Sequence, residues 1–375
     1  MRGGTMSRDT MNTIIPFLDL SVADREERAA ILAAVGRVLD HGRIILGPEV
    51  EQLEAELARH AGRVHGIGVG CGTDALYLAF RALGLGPGDE VITPALVWLA
   101  TANAIASVGA RPVFADVGAD FNLDPDSVEA CISPRTRAIL AVHASGRMCD
   151  MARLEAIAAR HGIPLVEDAS QAFGAQRDGR RAGGCGAITA MSLNPMKLLA
   201  ACGEAGMVLT DDPVLAQSVA RLRHHGMVDK EVCGEVGFNM RLDTMQAAIL
   251  LARLPGIEAR IARRRQIAAR YSAQLADLVA VPADPAQERH VFFVYTVLTE
   301  RRDELAAHLA GRGIEARVRD RILVPCQPAH GAAPPANWPM AEHLAGRMLS
   351  LPMQERMPDE DVDTVASAVR AFFHG

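Results

Sequence analysis

The sequence predicts an α/β fold in which helices cover a mostly parallel central sheet. Between residues 65 and 225, short apolar runs alternate with amphipathic stretches. The apolar runs are nearly continuous rather than alternating with polar residues, which is typical of strands buried on both faces. The chain has 375 residues, of which 49% are hydrophobic. This length and composition favour about two domains with a large buried core.

Before this region, amphipathic patterns predict two helices, at 24–42 and 48–62. Inside the region three more helices are predicted, and each ends at a glycine, the residue that helices prefer just past their last turn: 74–84, 99–109 and 150–162. The predicted strands are 66–71, 90–95, 111–117, 138–144, 163–169, 187–193 and 205–211.

The pattern changes towards the C-terminus. A long helical stretch is predicted at 241–278, broken near Pro255 and Gly256. Past residue 285 we predict a strand at 291–298, a helix at 301–313, a loop at 326–339 and a last helix at 359–375. The predicted organisation is a disordered or frayed N-terminus (1–14), a large domain that includes the N-terminal helices (15–254) and a small α+β domain (255–375).

Charge and composition argue against several classes of function. The net charge is −6 and the basic residues are scattered, which is unlike a surface for nucleic acid or anionic membranes. No apolar stretch approaches the ~18 residues of a membrane span, and the N-terminus lacks the apolar segment of a secretory signal. The seven cysteines form no C-x-x-C pair, and the histidines show no zinc-ligand spacing. We therefore expect reduced thiols, no metal site and a cytoplasmic protein.

Polar residues just past the predicted strands are candidates for a site, because open α/β sheets bind ligands at the carboxyl ends of their parallel strands. Gly72, Thr73 and Asp74 open a predicted helix, whose free N–H groups would attract a phosphate. A plain helix cap by Thr73 or Asp74 is an equally good interpretation. The segment does not match the G-x-G-x-x-G pattern of dinucleotide sites.

Two further candidates follow other predicted strands. Glu167 and Asp168 end an apolar strand, so one carboxylate should face a site and the other should point away from it. A helix cap or a core ion pair is the alternative for a carboxylate in this position. Trp98 also follows a strand and could stack on a planar ligand, although core packing is the simpler interpretation.

The fourth candidate is Lys197, in the segment SLNPMKLLAACGEAG (192–206). Only two of the 39 Lys and Arg residues are lysines, and the other is Lys230. Burial and nearby positive charge lower the pKa of a lysine, so that its neutral amine can attack a carbonyl group. Arginine stays protonated and cannot replace it. A solvated surface lysine is the alternative, and it is the interpretation that we favour for Lys230.

Together these candidates match the requirements of pyridoxal 5′-phosphate (PLP). Its phosphate needs a helix N-terminus, its ring an aromatic face, its pyridine nitrogen a carboxylate and its aldehyde a lysine. The chain also resembles the DegT/DnrJ/EryC1/StrS family of PLP-dependent sugar aminotransferases, which have the aspartate-aminotransferase fold type I. The resemblance runs from IPFLDL (15–20) to LSLPM (349–353) and rests on motifs such as GTDAL, VEDASQAFGA and SLNPMKLLAACGEAG.

This resemblance implies a role for each candidate. Lys197 would form the Schiff base with PLP and act as general base and acid, while Asp168 would pair with the pyridine nitrogen. The other implied contacts, with Gly72 as part of the phosphate cradle, are Thr73, the Asp74 backbone and Ser192 at the phosphate, Trp98 on the ring, Gln171 near the ring hydroxyl and Asn239 at the phosphate of the neighbouring subunit. The last contact implies a homodimer with shared active sites.

The implied reaction is a ping-pong transfer of an amino group from an amino acid, L-glutamate above all, to a keto-sugar, expected to be a nucleotide-linked keto-deoxysugar.

Three segments depart from the family pattern. GEAG replaces GEGG at Ala205, HASGRMCDM (143–151) replaces an HLYG-type segment, and 317–330 lacks the usual HYP pattern. The last two segments line the acceptor pocket in relatives, so they bear on the substrate rather than on the cofactor.

Other interpretations stay open at this point. A keto-inositol aminotransferase, or a PLP-dependent dehydratase or aromatase, would belong to the same family, although its sugar dehydratases carry histidine in place of Lys197. A nicotinamide-dependent oxidoreductase conflicts with the missing glycine pattern. A PLP-binding regulator without catalysis conflicts with the lack of a DNA-binding segment or a basic face.

Overall fold

The computed structural model describes residues 14–331 and 337–375. Nearly all of the predicted frayed N-terminus (1–14) and part of the predicted loop at 326–339 therefore lie outside the described residues. The helices are α1 (Arg25–His41), α2 (Pro48–Ala61), α3 (Gly72–Ala82), α4 (Leu99–Ser107), α5 (Pro125–Cys131), α6 (Met151–His161), α7 (Pro213–Leu222), α8 (Thr244–Arg253), α9 (Ile257–Leu275), α10 (Arg302–Ala310), α11 (Pro339–Arg347) and α12 (Asp359–His374). The strands are β1 (His65–Val69), β2 (Glu90–Pro94), β3 (Arg111–Ala115), β4 (Thr136–Val142), β5 (Leu165–Asp168), β6 (Gln176–Arg177), β7 (Arg180–Arg181), β8 (Ile188–Ser192), β9 (Gly206–Thr210), β10 (Glu288–Arg289), β11 (Tyr295–Leu298) and β12 (Met348–Leu351).

The central sheet has seven strands in the order β1-β9-β8-β5-β4-β2-β3. The five strands from β8 to β3 pair in parallel, while β9 runs antiparallel to both of its neighbours. All seven strands predicted between residues 65 and 225 are present, and they form this one sheet. The predicted α/β class with a mostly parallel sheet is confirmed.

Local sequence explains where several helices end. Gly84, Gly109 and Gly162 follow the three helices that are predicted to stop at glycine, and their φ angles are 75°, 85° and 63°. Glycine adopts this left-handed conformation without strain, so the chain can turn away from the helix. The predicted break near Pro255 is also confirmed, because a 3-10 turn (Leu254–Gly256) separates α8 from α9.

The sequence patterns do not predict α5, α7, α11 or β12. Each of the three helices has a proline in its first turn. Proline fits there because the N–H that it lacks would have no partner inside the helix, so this start signal could have found them. The predicted strand at 291–298 is wrong over its first half: β11 begins at Tyr295, because Phe292 has a φ of 48°, which an extended strand cannot contain.

Three hydrophobic clusters form most of the core. Neighbouring residues of one strand, such as Leu140 and Ala141, belong to different clusters, so two of the clusters cover opposite faces of the central sheet. The third cluster joins the C-terminal half of α9 to β11, β12, α10 and α12, and it includes Ile15 from the start of the described chain. The proposed domain boundary at 254/255 stays a prediction.

Candidate active site

A cavity of about 900 Å³ lies at the carboxyl edge of the central sheet. The residues that follow β1, β2, β5 and β8 form one side of it, and Phe293 with residues 316–321 forms the other. The cavity brings together seven of the nine predicted site residues: Gly72, Thr73, Trp98, Asp168, Gln171, Ser192 and Lys197. This position is the one expected for ligands of a parallel sheet.

The predicted phosphate cradle is the N-terminus of α3. The helix cap is Cys71, whose Sγ accepts a hydrogen bond from the Asp74 N–H at 3.3 Å. The alternative interpretation, capping by Thr73 or Asp74, is therefore wrong. A Cβ on Gly72 would lie 2.5 Å from the Cβ of Ser192, so only glycine lets the helix approach the end of β8 this closely. The free N–H groups and dipole of the helix then face the cavity, where they favour an anion.

The end of β5 divides its two carboxylates as the sequence predicts. Asp168 lines the cavity, and its Oδ1 accepts a hydrogen bond from the Ser170 N–H at 2.9 Å. Ser170 Oγ in turn accepts a hydrogen bond from the Ser192 N–H at 2.9 Å. These two bonds fix the cavity carboxylate relative to the end of β8 and the phosphate cradle.

Glu167 points away from the cavity and is fully buried. Burial works against its charge, yet hydrogen bonds hold the pKa of this carboxyl below its ordinary value. The His143 ring donates through Nε2, because its Nδ1 accepts from the Cys149 N–H at 3.1 Å. The four donors to Glu167 are His143 Nε2 (2.7 Å), Gly183 N–H (2.7 Å), Cys185 N–H (2.9 Å) and Thr189 Oγ1 (2.8 Å).

The Lys197 amine lies in the wall of the cavity, with Nζ 5.0 Å from the centre of the Phe293 ring. Burial lowers the pKa of this amine from 10.5 to about 8, Asp168 opposes the shift and Arg319 adds to it. Lys197 therefore reaches its neutral, nucleophilic form much nearer to physiological pH than an ordinary lysine does. Lys230, by contrast, is exposed, as the sequence predicts.

Trp98 and Gln171 complete this side of the cavity. The Trp98 side chain stands at the start of α4 and is 60% exposed, so the simpler interpretation of core packing is wrong. A large exposed aromatic surface inside a cavity is suited to stacking on a planar ligand. Gln171 Oε1 accepts a hydrogen bond from the Ser145 N–H at 3.1 Å, which ties the cavity wall to segment 143–151.

The other two predicted site residues do not line this cavity. Asp74 lies in the first turn of α3, and its predicted contact is through the backbone rather than through the carboxyl group, whose pKa is raised by burial. Asn239 is exposed, and its Oδ1 accepts a hydrogen bond from Arg241 Nε at 2.9 Å. Because its predicted contact is with a neighbouring subunit, the role of Asn239 stays a prediction.

Three cavity residues were not reached by sequence reasoning. Ser170 connects Asp168 to Ser192, but its position inside the VEDASQ motif was the only signal. Phe293 was assigned to a strand that the structure does not contain. Arg319 carried one signal, since it lies in the segment that departs from the family's HYP pattern.

The chemistry of these groups fits PLP. The α3 N-terminus suits a phosphate, the exposed face of Trp98 a ring, Asp168 a protonated pyridine nitrogen and Lys197 an aldehyde. Residues 14–331 and 337–375 contain no cluster of three or more side chains that could hold a metal ion. In the same part of the chain, no helix is both long and apolar enough to cross a membrane.

Comparisons with known proteins show which family the chain resembles. The profile of the DegT/DnrJ/EryC1/StrS aminotransferase family matches residues 25–370. The dTDP-3-amino-3,4,6-trideoxy-alpha-D-glucose transaminase of Streptomyces venezuelae is 44% identical over 361 residues, which cover 95% of each chain. The UDP-N-acetyl-3-dehydro-alpha-D-glucosamine 3-aminotransferase of Acidithiobacillus ferrooxidans is 41% identical over 98% of this chain and 100% of its own. The crystal structure of S. venezuelae DesV with a ketimine intermediate has a TM-score of 0.94 at 43% identity, over 96% of this chain and 99% of DesV.

Proposed function

The chain belongs to the DegT/DnrJ/EryC1/StrS aminotransferase family, and we propose that it transfers an amino group from L-glutamate to a nucleotide-linked keto-sugar. It is an aminotransferase, and its cofactor is PLP. The observation that carries the proposal is the half-buried Lys197 amine, which shares one cavity with Asp168 and the N-terminus of α3. The relatives named for dTDP-linked and UDP-linked sugars support a nucleotide sugar as the acceptor.

The residues of the cavity would divide the work of the reaction. PLP, when bound, supplies the electron sink for the bonds broken at the amino-bearing carbon. Lys197 would hold the cofactor and then carry a proton at the substrate carbon, because its lowered pKa allows the amine to accept and donate near neutral pH. Asp168 would keep the pyridine nitrogen charged. The groups that would orient the cofactor are Gly72, Thr73, the Asp74 N–H and Ser192 at the phosphate, with Trp98 and Gln171 at the ring.

Positive charge at the cavity supports anionic reactants. Arg317 and Arg319 line the cavity, and Arg317 is exposed at its edge, where its guanidinium lies 4.7 Å from the centre of the Phe17 ring. A positive potential attracts both a dicarboxylic amino acid and a nucleotide diphosphate. This charge supports L-glutamate as the donor and a nucleotide-linked sugar as the acceptor.

Separate half-reactions test the proposal. Holoenzyme mixed with L-glutamate alone should convert from the PLP form to the pyridoxamine phosphate form, seen by absorbance, and release 2-oxoglutarate. Addition of a nucleotide-linked keto-sugar should restore the first spectrum and yield an amino sugar detectable by mass spectrometry. A panel of amino acids and keto-inositols provides the comparison. If no amino acid changes the spectrum, the proposal is wrong, and if only a keto-inositol restores it, the acceptor is wrong.

We also propose a homodimer with shared active sites. Asn239 is exposed beside a loop with three exposed valines, a surface that a second subunit could cover: Val228, Val232 and Val236. Light scattering would give the oligomeric state. Co-refolding inactive Lys197→Ala with Asn239→Ala subunits should restore activity above the sum of the separate variants, because one site of each mixed dimer is intact. Co-refolding Lys197→Ala with Lys197→Met is the control and should stay inactive. Activity of the first mixture that only equals the sum of the separate variants would contradict shared sites.

A cytoplasmic location is part of the same proposal. All seven cysteines carry free thiols, and two of these residues, Cys202 and Cys233, are exposed. Exposed thiols are typical of proteins kept in a reducing compartment. Cell fractionation should place the transaminase activity with a cytoplasmic marker, and its recovery with a periplasmic or membrane marker would contradict the assignment.

A further inference from the structure

The cavity contains a cation, Arg319, whose direct contact with a reactant has not yet been assigned. Arg319 lines the main cavity and also a smaller adjoining cavity of about 40 Å³, which it shares with Ser145 and Gln171. Its guanidinium carbon lies 5.7 Å from the centre of the Phe293 ring, the same ring that Lys197 Nζ approaches at 5.0 Å. The guanidinium is therefore a neighbour of the reacting amine.

Arg319 has no partner for its charge in residues 14–331 and 337–375. Its guanidinium forms no hydrogen bond there and no ion pair within 4.0 Å. Burial lowers the pKa of Arg319, and the adjacent Asp320 carboxylate acts against this shift without reversing it. A cation that is partly removed from water and has no partner is costly, so the fold keeps a group that is poorly satisfied in the ligand-free protein.

Arg264 shows how the same fold treats an arginine with a structural role. Arg264 also lines the cavity, yet its guanidinium pairs with Glu355 at 3.0 Å. It donates further hydrogen bonds to the carbonyl groups of Phe292 (3.3 Å), Phe293 (3.2 Å) and Met353 (3.4 Å). The contrast indicates that the open donors of Arg319 are available to a ligand.

The backbone holds Arg319 in place on both sides. The N–H and C=O of Arg317 pair with the C=O and N–H of Ser350, both at 2.9 Å, which fixes the segment alongside β12. Asp320 then turns the chain with a left-handed φ of 44°. A guanidinium held between a paired residue and a turn loses little freedom on binding, which favours recognition of one group in one orientation.

We propose that Arg319 is the receptor for a carboxylate of a reactant, which it holds beside the Lys197 amine. The planar fork of a guanidinium matches the two oxygens of a carboxylate. The cofactor phosphate has its own donors at α3, and none of the cradle residues Gly72, Thr73 and Ser192 lines the smaller cavity next to Arg319. The inference rests on the proposed function, which offers two sources of a carboxylate: the amino donor and an acidic group on the acceptor sugar.

Single-turnover half-reactions of Arg319→Gln test this role. The donor arm uses the PLP form with L-glutamate and the pyridoxamine form with 2-oxoglutarate. The acceptor arm uses the pyridoxamine form with a neutral nucleotide-linked 3-keto-sugar and with its analogue that carries a carboxylate at C6. The control is Arg312→Gln, which removes the same charge from an exposed arginine whose side chain forms a hydrogen bond with His308 at 3.1 Å.

We expect apparent binding of the carboxylate-bearing reactant to weaken about 10- to 100-fold in Arg319→Gln. Apparent binding of the neutral sugar should change by less than about threefold, and Arg312→Gln should bind every reactant as the wild type does. A loss in the donor arm identifies the donor carboxylate, and a loss limited to the carboxylated sugar identifies the acceptor. The proposal would be overturned if Arg319→Gln had wild-type rates in all arms. It would also be overturned if binding of the neutral sugar weakened as much as binding of the carboxylate-bearing reactant. If none of the amino acids converts the PLP form of the wild type to the pyridoxamine form, the proposed function itself fails, and this inference fails with it.

Unfolding of the ligand-free protein gives a second measurement that does not depend on turnover. Removing an unpaired, half-buried charge should leave the midpoint of thermal unfolding equal to that of the wild type or higher. A structural role would lower it, and that result would also overturn the proposal. The pKa of Lys197 should rise in Arg319→Gln, because a repelling charge is lost, so uptake of PLP by the apoprotein should require a higher pH.

Discussion

The wall of the cavity that carries the predicted cofactor contacts is built differently from the opposite wall, which is formed by Phe293 and residues 316–321. In the first wall, the cofactor half, every position is set by strand ends, a helix N-terminus and short bonds such as Ser192 N–H to Ser170 Oγ at 2.9 Å. In the second, which we name the acceptor half because we propose that it meets the reactants, Asp320 has a left-handed φ of 44°, and Ser145 (φ 58°) has one in the smaller adjoining cavity. Such conformations persist where the surroundings enforce them, often at binding sites.

This difference explains why the chemistry of the cofactor half can be predicted from the sequence and that of the acceptor half cannot. A cofactor has fixed atoms, so an amine, a carboxylate and a helix N-terminus must recur at fixed places relative to the sheet. An acceptor only needs complementary groups, and loops can bring these from any segment. Arg319 illustrates this, since its guanidinium lies 5.7 Å from the centre of the Phe293 ring, which comes from a different segment of the chain.

The largest expected effect tests the cofactor half at its centre. Lys197→Ala should reduce transamination by at least about 1,000-fold, because no other amine can hold the cofactor and carry the proton. The absorbance band of enzyme-bound PLP should also be lost. Lys230→Ala removes the other lysine, which is exposed, and should leave both measurements unchanged. Lys197→Ala with more than about a tenth of wild-type turnover would contradict the assignment.

Asp168→Asn is expected to have the next largest effect on the reaction. Its carboxylate is the group proposed to keep the pyridine nitrogen charged, so an amide should lower kcat about 100-fold. PLP should still bind, because the cradle at α3 is unchanged. Steady-state rates and a spectrophotometric titration with PLP would separate the two effects. A loss of PLP binding with normal kcat at saturating PLP would assign Asp168 to cofactor affinity instead.

Glu167→Gln tests the buried hydrogen bonds behind the cavity. These bonds connect β5 to segment 143–151, which begins with His143. The amide cannot accept all four hydrogen bonds, so stability at pH 7 should fall by about 3 kcal/mol. Because the folded pKa of Glu167 is lowered, its contribution is complete above the unfolded pKa near 4.5 and is lost as pH falls through the folded value. The difference between the two proteins should therefore narrow at acid pH.

Urea unfolding at several pH values would measure this difference. Glu129→Gln is the matched control, because Glu129 pairs with His161 at 2.9 Å on an exposed surface. It should change stability very little, since exposed ion pairs contribute little. A constant difference between wild type and Glu167→Gln from pH 7 to pH 3 would show that the carboxylate is not the source of the stability.

Periodicity was sufficient for the central sheet because its strands are apolar on both faces and are separated by helices that end at glycine. It was not sufficient for α7, whose start is marked by Pro213 and not by a periodic pattern. It also failed at Phe292, where a left-handed backbone interrupts the strand although the apolar sequence pattern continues. In the site, strand-end logic found Asp168 and Lys197. It could not find Arg319, because the role proposed for this residue depends on the lack of an ion-pair partner around it in the described part of the folded chain.

The smallest expected effect concerns Ala205, the one departure from the family pattern that falls in the cofactor half. Its methyl group is fully buried in the core beneath the sheet, and its carbonyl accepts a hydrogen bond from the Leu193 N–H at 2.9 Å. Ala205→Gly should lower stability by about 1 kcal/mol, because a buried methyl group and a stiffer backbone are lost. Both half-reactions should stay within about twofold of the wild type, because Ala205 packs in the core and does not line the cavity. A tenfold loss of activity at unchanged stability would mean that the Ala205 methyl acts on the reaction, and the cofactor half would then share in substrate selection.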